Sequence, residues 1–235
     1  AMVRAADRML QGWQDGQTRD AQEDMMAVTL EIVAKTLFDA EVGPDAAEAR
    51  EAMETLMRCF MVETRMLVKL PLWVPTPHNR RVERAASRLD RIILRFIAER
   101  RKTREDRGGL LSMLLLAQDE ESGQGMTDKQ LRDEAMTLFM AGHETTANTL
   151  AWAWFLIGTH PEVEAKLHAE IDGVLGGRLP TVDDLPRLPY CHRVITETLR
   201  FYPTVWLVGR EAAEPVELGG YRIPVGTTVF MSQWA

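Results

Sequence analysis

Two cysteines in 235 residues, Cys59 and Cys191, are too few for a disulfide framework, so the chain reads as one made for a reducing compartment. A transmembrane run is also missing, since no uninterrupted apolar stretch approaches the roughly 20 residues a helical span requires. Nor does the chain open on a secretory leader: Ala1-Met2-Val3-Arg4-Ala5-Ala6-Asp7 is charged and already helical in pattern. By these absences the stretch reads as cytoplasmic or soluble. The start resembles a cut through a helix, which leaves membrane anchoring of a longer parent open. Excess positive charge is lacking as well: 28 basic against 35 acidic side chains give a net charge of -7. That balance excludes a general nucleic-acid binder, whose affinity comes from neutralising phosphates. No internal repeat or low-complexity linker divides the chain. Metal-ligand spacing is absent too. His143-Glu144 begins like H-E-x-x-H, but Ala147 stands where the second histidine is needed, and His78, His160, His168 and His192 are scattered.

What remains is 46% hydrophobic and 27% charged, the composition of a globular chain with one sizeable core. Apolar spacing is helical nearly throughout to about residue 202. Asp20 to Ala40 carries a broad stripe of Met25, Met26, Val28, Thr29, Ile32, Val33, Thr36 and Leu37, stopped by Gly43-Pro44. A second helix is predicted from there to about Leu70. Three prolines exclude helix from Leu70 to Pro77. Helices follow at about His78 to Arg104 and Leu110 to Ala117. The longest opens at Thr127, where Thr127-Asp128-Lys129-Gln130 fits a capping box, and runs to Thr159 before His160-Pro161. Two more are predicted at Pro161 to Leu175 and Pro189 to Phe201. From about 203 to 235 the pattern turns to strands, with Pro215 to Leu218, a Gly219-Gly220 turn, Tyr221 to Ile223, and Thr227 to Ser232. The fold class is therefore mainly α (α+β), with a long central helix and a small sheet near the end.

Two places carry chemistry. The long helix holds Leu131, Met136, Leu138, Phe139, Leu150, Trp152, Trp154, Phe155 and Leu156, and is expected to be deeply buried. Its centre, Ala141-Gly142-His143-Glu144-Thr145-Thr146, breaks local rules: Gly142 costs about 1 kcal/mol against alanine, and a buried glutamate must find a partner or become neutral. Thr137, Ala141 and Thr145 share one face, with Met140 beside them. An acid next to a hydroxyl suits proton delivery. A kinked core helix with a locally paired glutamate is the plainer alternative. Further on, Glu197 and Arg200 lie one turn apart, which in an exposed setting is a minor ion pair. Arg80, Arg84, Arg88, Arg91 and Arg95 form a basic stripe on one helix, interleaved with acids; a solvated face is expected ahead of partner docking or anionic lipid. Cys59, in an apolar helical stripe, reads as core.

In this order and separation, Ala141 to Thr146 and Glu197-Thr198-Leu199-Arg200, followed by Phe201-Tyr202-Pro203, resemble the cytochrome P-450 family of haem-thiolate monooxygenases. His160-Pro161-Glu162, Asp184 to Tyr190 and Gly219 to Thr227 recur there in similar form. The resemblance spans nearly the whole chain and implies a single partial domain over 1–235, an internal fragment lacking the family's N-terminal part and its C-terminal cysteine loop. It implies haem b as cofactor, with Glu144 and Thr145 catalytic, Ala141, Gly142, Thr145 and Arg210 against haem, and the axial cysteine beyond Ala235. Glu197 and Arg200 become a buried structural ion pair. Thr137, Met140, Val205, Trp206 and Leu207 become candidates for the pocket of a small hydrophobic substrate; Arg210 as a solvated strand charge, and Val205 to Leu207 as sheet core, are equal alternatives. The loop from Leu67 to Val74 resembles the segment over the substrate entrance. The implied activity is insertion of one oxygen atom from O2, with electrons from NAD(P)H through a ferredoxin or flavoprotein reductase, separate or fused. A haem peroxygenase or isomerase on the same fold, or a non-catalytic helical interaction protein, are the alternatives from other classes.

Overall fold

The computed structural model describes residues 1–39, 45–63, 70–103, 109–118 and 123–233. The predicted Gly43-Pro44 stop, the end of the second helix after Glu63 and the predicted helix end at Arg104 lie outside them. Eight α-helices and four strands are seen among the described residues, grouped into two compact units, Ala1–Ala147 and Asn148–Ala235. Among those residues no helix is long and apolar enough to cross a membrane.

The first unit contains α1 (Met2–Gln11), α2 (Ala21–Phe38), α3 (Ala46–Glu63), α4 (Pro77–Thr103), α5 (Leu110–Leu116) and the larger part of α6 (Asp128–Thr159). Asp20 caps α2, its carboxylate accepting from the amides of Gln22 at 2.9 Å and Glu23 at 3.1 Å. The other end is closed by Asp39 in the left-handed region, with φ 48°. Buried Arg100 from α4 donates to the Phe38 carbonyl at 2.9 Å, satisfying one of the orphan carbonyls of that helix end. The core brings together Val33, Ala34 and Phe38 of α2, Ala49 and Met53 of α3, Leu89, Ile93 and Phe96 of α4, Leu111 of α5 and Leu131, Ala135 and Phe139 of α6. Phe38 sits between two aromatic neighbours, with ring centroids 5.6 Å from Phe96 and 5.8 Å from Phe139.

The α4 arginine stripe is only partly a solvated face. Arg88 pairs with Glu51 at 3.2 Å, Arg91 with Glu48 at 3.5 Å, and Arg95 with Asp45, so its lower half is a charge ladder against α3. Exposed pairs of this kind contribute at most about 1 kcal/mol each. The proline-rich stretch before α4 is held by buried Asn79, whose amide donates to the carbonyls of Pro71 at 2.8 Å and Val74 at 2.9 Å. Trp73 in that stretch is 83% exposed, with Leu70 and Leu72 also exposed, so its described part is not tucked onto the core.

In the second unit, α7 (Pro161–Leu175) and α8 (Pro189–Phe201) flank a 3₁₀ helix over Val182–Arg187. Proline opens both α-helices at a position where no amide donor is needed. Glu170 of α7 caps α8 from outside, accepting from the amides of Tyr190 at 2.8 Å and Cys191 at 2.9 Å. The 3₁₀ segment escapes the sequence pattern because Pro186 lies inside it, yet it has its own capping box, Thr181 with Asp184. Arg178 grips the same buried Asp184 bidentately at 2.5 and 2.7 Å, and with the Thr181 amide holds its carboxyl far below the usual carboxylate range. Two antiparallel pairs complete the unit: β1 (Leu207–Glu211) with β4 (Thr228–Ser232), and β2 (Val216–Leu218) with β3 (Tyr221–Ile223). β1 lay inside the predicted strand-rich region but had no boundaries of its own, because Leu207-Val208-Gly209-Arg210-Glu211 lacks alternation. Phe230 covers Gly209 directly across the pair: a Cβ on Gly209 would meet the Phe230 ring at 3.2 Å.

Candidate functional site

Helix α6 runs for 32 residues, about 48 Å at 1.5 Å per residue. Its start is the capping box read from sequence: the Thr127 amide donates to the Gln130 side chain at 3.0 Å, and the Gln130 amide to Thr127 Oγ1 at 3.3 Å. One ridge of the helix is buried at every fourth residue, Leu131, Ala135, Phe139, His143 and Ala147. Four of the five are apolar or small; the fourth position is a histidine. Thr137 and Ala141 lie on an exposed face and Thr145 is half-buried, so the predicted row of small residues is open at Ala141. Met140 leans against the hydrophobic core instead.

At the break, Thr145 Oγ1 donates to the Ala141 carbonyl at 2.7 Å, the back-bond expected of a threonine in a helix centre. That bond takes the hydroxyl hydrogen and leaves the oxygen lone pairs as acceptors. Gly142 does not open the helix towards a cofactor. A Cβ there would meet Val33 Cγ2 at 3.1 Å, so its missing side chain admits α2 at close approach. His143 is 2% exposed and its Nε2 donates to the Met26 carbonyl of α2 at 2.9 Å, while Nδ1 is buried with no hydrogen-bond partner among the described residues. Burial lowers its pKa, opposed by that backbone bond. Glu144 is half-buried and makes no hydrogen bond or ion pair among the described residues; burial raises its pKa above the ordinary carboxylate value. With His143 it lines a cavity of about 320 Å³ between α2, α3 and α6, bordered by Glu23, Arg50, Glu54 and Arg58.

Unit two holds the remaining predicted residues. Glu197 and Arg200 form a bidentate pair at 2.6 and 2.7 Å, but their side chains are 59% and 65% exposed, so the pair expected to be buried is a surface pair in this chain. Its partner arginine lowers the Glu197 pKa. Beside it, an apolar cleft of about 730 Å³ is lined by Leu156, Ile157, Val163, Tyr190, Val194 and Phe201 among others. Val205, Trp206 and Leu207 are exposed and do not form a sheet core. Arg210, on β1 opposite Val229, is exposed and among the described residues donates to the carbonyl of its neighbour Gly209, at 2.8 Å. The helix α6 segment in this unit also corrects the expectation of all-round burial: Trp152, Trp154 and Phe155 are all exposed. Trp152 nonetheless stacks on Tyr202 with centroids 4.0 Å apart, and Thr149 shares a 2.8 Å hydrogen bond with Thr204.

In the first unit Ala141 and Thr145 give a low helix face, open at Ala141, which suits a flat cofactor; in the second unit, taken by itself, the Arg210 guanidinium suits a carboxylate. They supply no axial thiolate: Cys59 is buried in the core, and burial raises the pKa of the half-buried Cys191 thiol. His143 was missed in the sequence, where it was weighed only as half of a zinc motif; its place on the fourfold-spaced ridge was the available signal.

Comparison with known proteins identifies the family. The family model for cytochrome P450 matches residues 2–235. A cyclooctat-9-en-7-ol 5-monooxygenase of Streptomyces melanosporofaciens is 43% identical over 95% of this chain and 49% of its own length. Pentalenene oxygenase of Streptomyces avermitilis is 37% identical over 99% of this chain and 51% of its own. The crystal structure of the cytochrome P450DA heme domain superposes with a TM-score of 0.85 at 28% identity, covering 98% of this chain and 51% of that one. The chain thus spans about half the length of the curated relatives it matches. Over residues 2–235 the chain belongs to the cytochrome P450 family.

Proposed function

We propose that the intact protein carrying this chain is a haem-dependent monooxygenase, with residues 1–235 as part of one catalytic domain. The observation that carries the reading is a half-buried acid, Glu144, without a hydrogen bond or ion pair among the described residues, facing a cavity beside a hydroxyl, Thr145, at the break of the central helix. Bound haem would supply the oxygen-activating chemistry. Ala141, Thr145 and Arg210 are the residues that would hold it; Gly142, filled by Val33, serves helix packing. Glu144, with its raised pKa, exchanges protons with cavity solvent nearer to neutral pH than a free carboxyl does. Thr145 Oγ1, its hydrogen committed to Ala141, accepts a hydrogen bond from water and orients it. Thr137 in the first unit and Val205, Trp206 and Leu207 in the second are the candidates for contact with a small hydrophobic substrate, in keeping with relatives named for cyclooctat-9-en-7-ol and pentalenene. Electrons come from NAD(P)H through a reductase, separate or fused.

The test is Thr145→Ala in the intact enzyme. Haem stays bound, and most of the NAD(P)H consumed appears as peroxide instead of product. Unchanged coupling removes Thr145 from proton delivery. The peroxygenase reading is disfavoured by the Glu144-Thr145 pair, which a peroxide-driven reaction does not need.

A further inference from the structure

We propose that His143 is a positioning residue: it pins helix α6 to α2 immediately before the acid, fixing the setting in which Glu144 faces the cavity and Thr145 keeps its back-bond. The proposal rests on the acid-hydroxyl reading above and concerns a residue to which that reading gives no part.

The argument begins with a cost. On the buried ridge Leu131, Ala135, Phe139, His143, Ala147, packing alone calls for an apolar side chain at the fourth place. A histidine there must shed its hydration, and one ring nitrogen, Nδ1, is left buried without a partner among the described residues. The other nitrogen makes a single bond, to the Met26 carbonyl at 2.9 Å. A carbonyl only accepts, so Nε2 carries the hydrogen and the tautomer is fixed. Burial works against a second proton on the ring, so the imidazole stays neutral as a donor near neutral pH.

The anchor has a second point. Gly142, the residue before, lets Val33 of the same helix α2 approach to within contact of its backbone. Two adjacent residues of α6 therefore touch α2 about two turns apart on that helix, which resists both rotation and sliding of α6. Val33 makes a close steric stop; His143 makes a directional bond. The next residue is Glu144, which shares the cavity wall with His143, and the next is Thr145. A rotation of α6 that is small at the anchor changes the direction of the Glu144 side chain along its whole length. Misplacement of a reacting group by about 1 Å is enough to lower rates by about 100-fold.

His143→Phe, His143→Gln and Thr145→Ala, each in the intact haem-loaded enzyme, separate the possibilities. Two quantities are read: amide hydrogen exchange over residues 141–149, and product formed per NAD(P)H. In His143→Phe, exchange at the helix centre speeds up at least 10-fold and coupling falls several-fold, with the haem absorbance retained. His143→Gln, whose side-chain amide can donate to the same carbonyl, recovers most of both. Wild-type exchange and coupling in His143→Phe overturn the proposal, and so does a glutamine variant as impaired as the phenylalanine one. Should His143→Phe fail to load haem, the glutamine variant and imidazole nitrogen NMR of the wild type in its ferrous carbon monoxide form decide. A neutral ring protonated on Nε2 at pH 7, its signals lost in His143→Gln, supports the anchor; an Nδ1-protonated or cationic ring refutes it. If Thr145→Ala leaves coupling unchanged, the acid-hydroxyl reading fails, while the exchange data still report on His143 alone.

Discussion

The two ends of helix α6 invert what their composition suggests. The first half, rich in charge with Asp128, Lys129, Arg132, Asp133 and Glu134, supplies Leu131, Ala135 and Phe139 to the core of the first unit. The last third, Leu150-Ala151-Trp152-Ala153-Trp154-Phe155-Leu156-Ile157, is almost wholly apolar, yet Trp152, Trp154 and Phe155 are exposed. Hydrophobicity measures what a segment could bury. Which part is buried depends on a ridge at the helical repeat meeting partner elements of matching shape. In the first half a fourfold ridge faces α2 and its neighbours; in the last third the apolar side chains point all round and a single face meets Tyr202 and Thr204.

The comparison can be broken by mutation. Phe139→Ala removes a ring that is fully buried beside Phe38, and is expected to cost about 3–5 kcal/mol in the intact protein, read from the denaturant midpoint. Trp152→Ala loses a stacked pair on a part-exposed face and is expected to cost about 1.5 kcal/mol or less for that pairing. Equal losses in the two variants would contradict the division of the helix drawn here.

A finer contrast separates the two glutamates. Glu197 has its arginine one turn away and its pKa is lowered; Glu144 has no partner among the described residues and its pKa is raised by burial. The signs therefore differ. A lowered folded value adds stability above the unfolded carboxylate pKa of about 4.3, lost as pH falls through the folded value. A raised folded value does the reverse: stability is lost as pH rises through the folded value of Glu144. Glu144→Gln should thus raise the denaturation midpoint at pH 7 and flatten its fall as pH rises above about 4.3. Glu197→Gln, on a solvated surface, should shift the midpoint of this chain by nothing measurable. A lower midpoint for Glu144→Gln would mean that the acid is a structural partner after all.

Much of this was legible in the sequence because it is local. The Thr127 capping box, the His160-Pro161 stop and the Gly219-Gly220 turn act over three or four residues, and the helices and strands they bound appear where expected. The Glu197-Arg200 pair was legible for the same reason, whereas its exposure was not, since exposure depends on what packs above it. The 3₁₀ helix was hidden by Pro186, and the role of Gly142 by its position next to Ala141. Only the approach of Val33 shows that one small residue faces outward and the other faces α2. His143 was obscured by a motif it does not complete. A lone polar residue on a buried ridge is visible only once the ridge is known to be buried.

The central claim is that Glu144 is an unpaired acid held for proton transfer. Its most direct test is the turnover rate of Glu144→Gln in the intact, reductase-coupled enzyme, with haem content measured in the same sample. A fall of about 100-fold or more with haem fully bound is the predicted result, the usual scale for removing a general acid. Turnover within about 2-fold of wild type would contradict it, since losses of that size need no proton-transfer role.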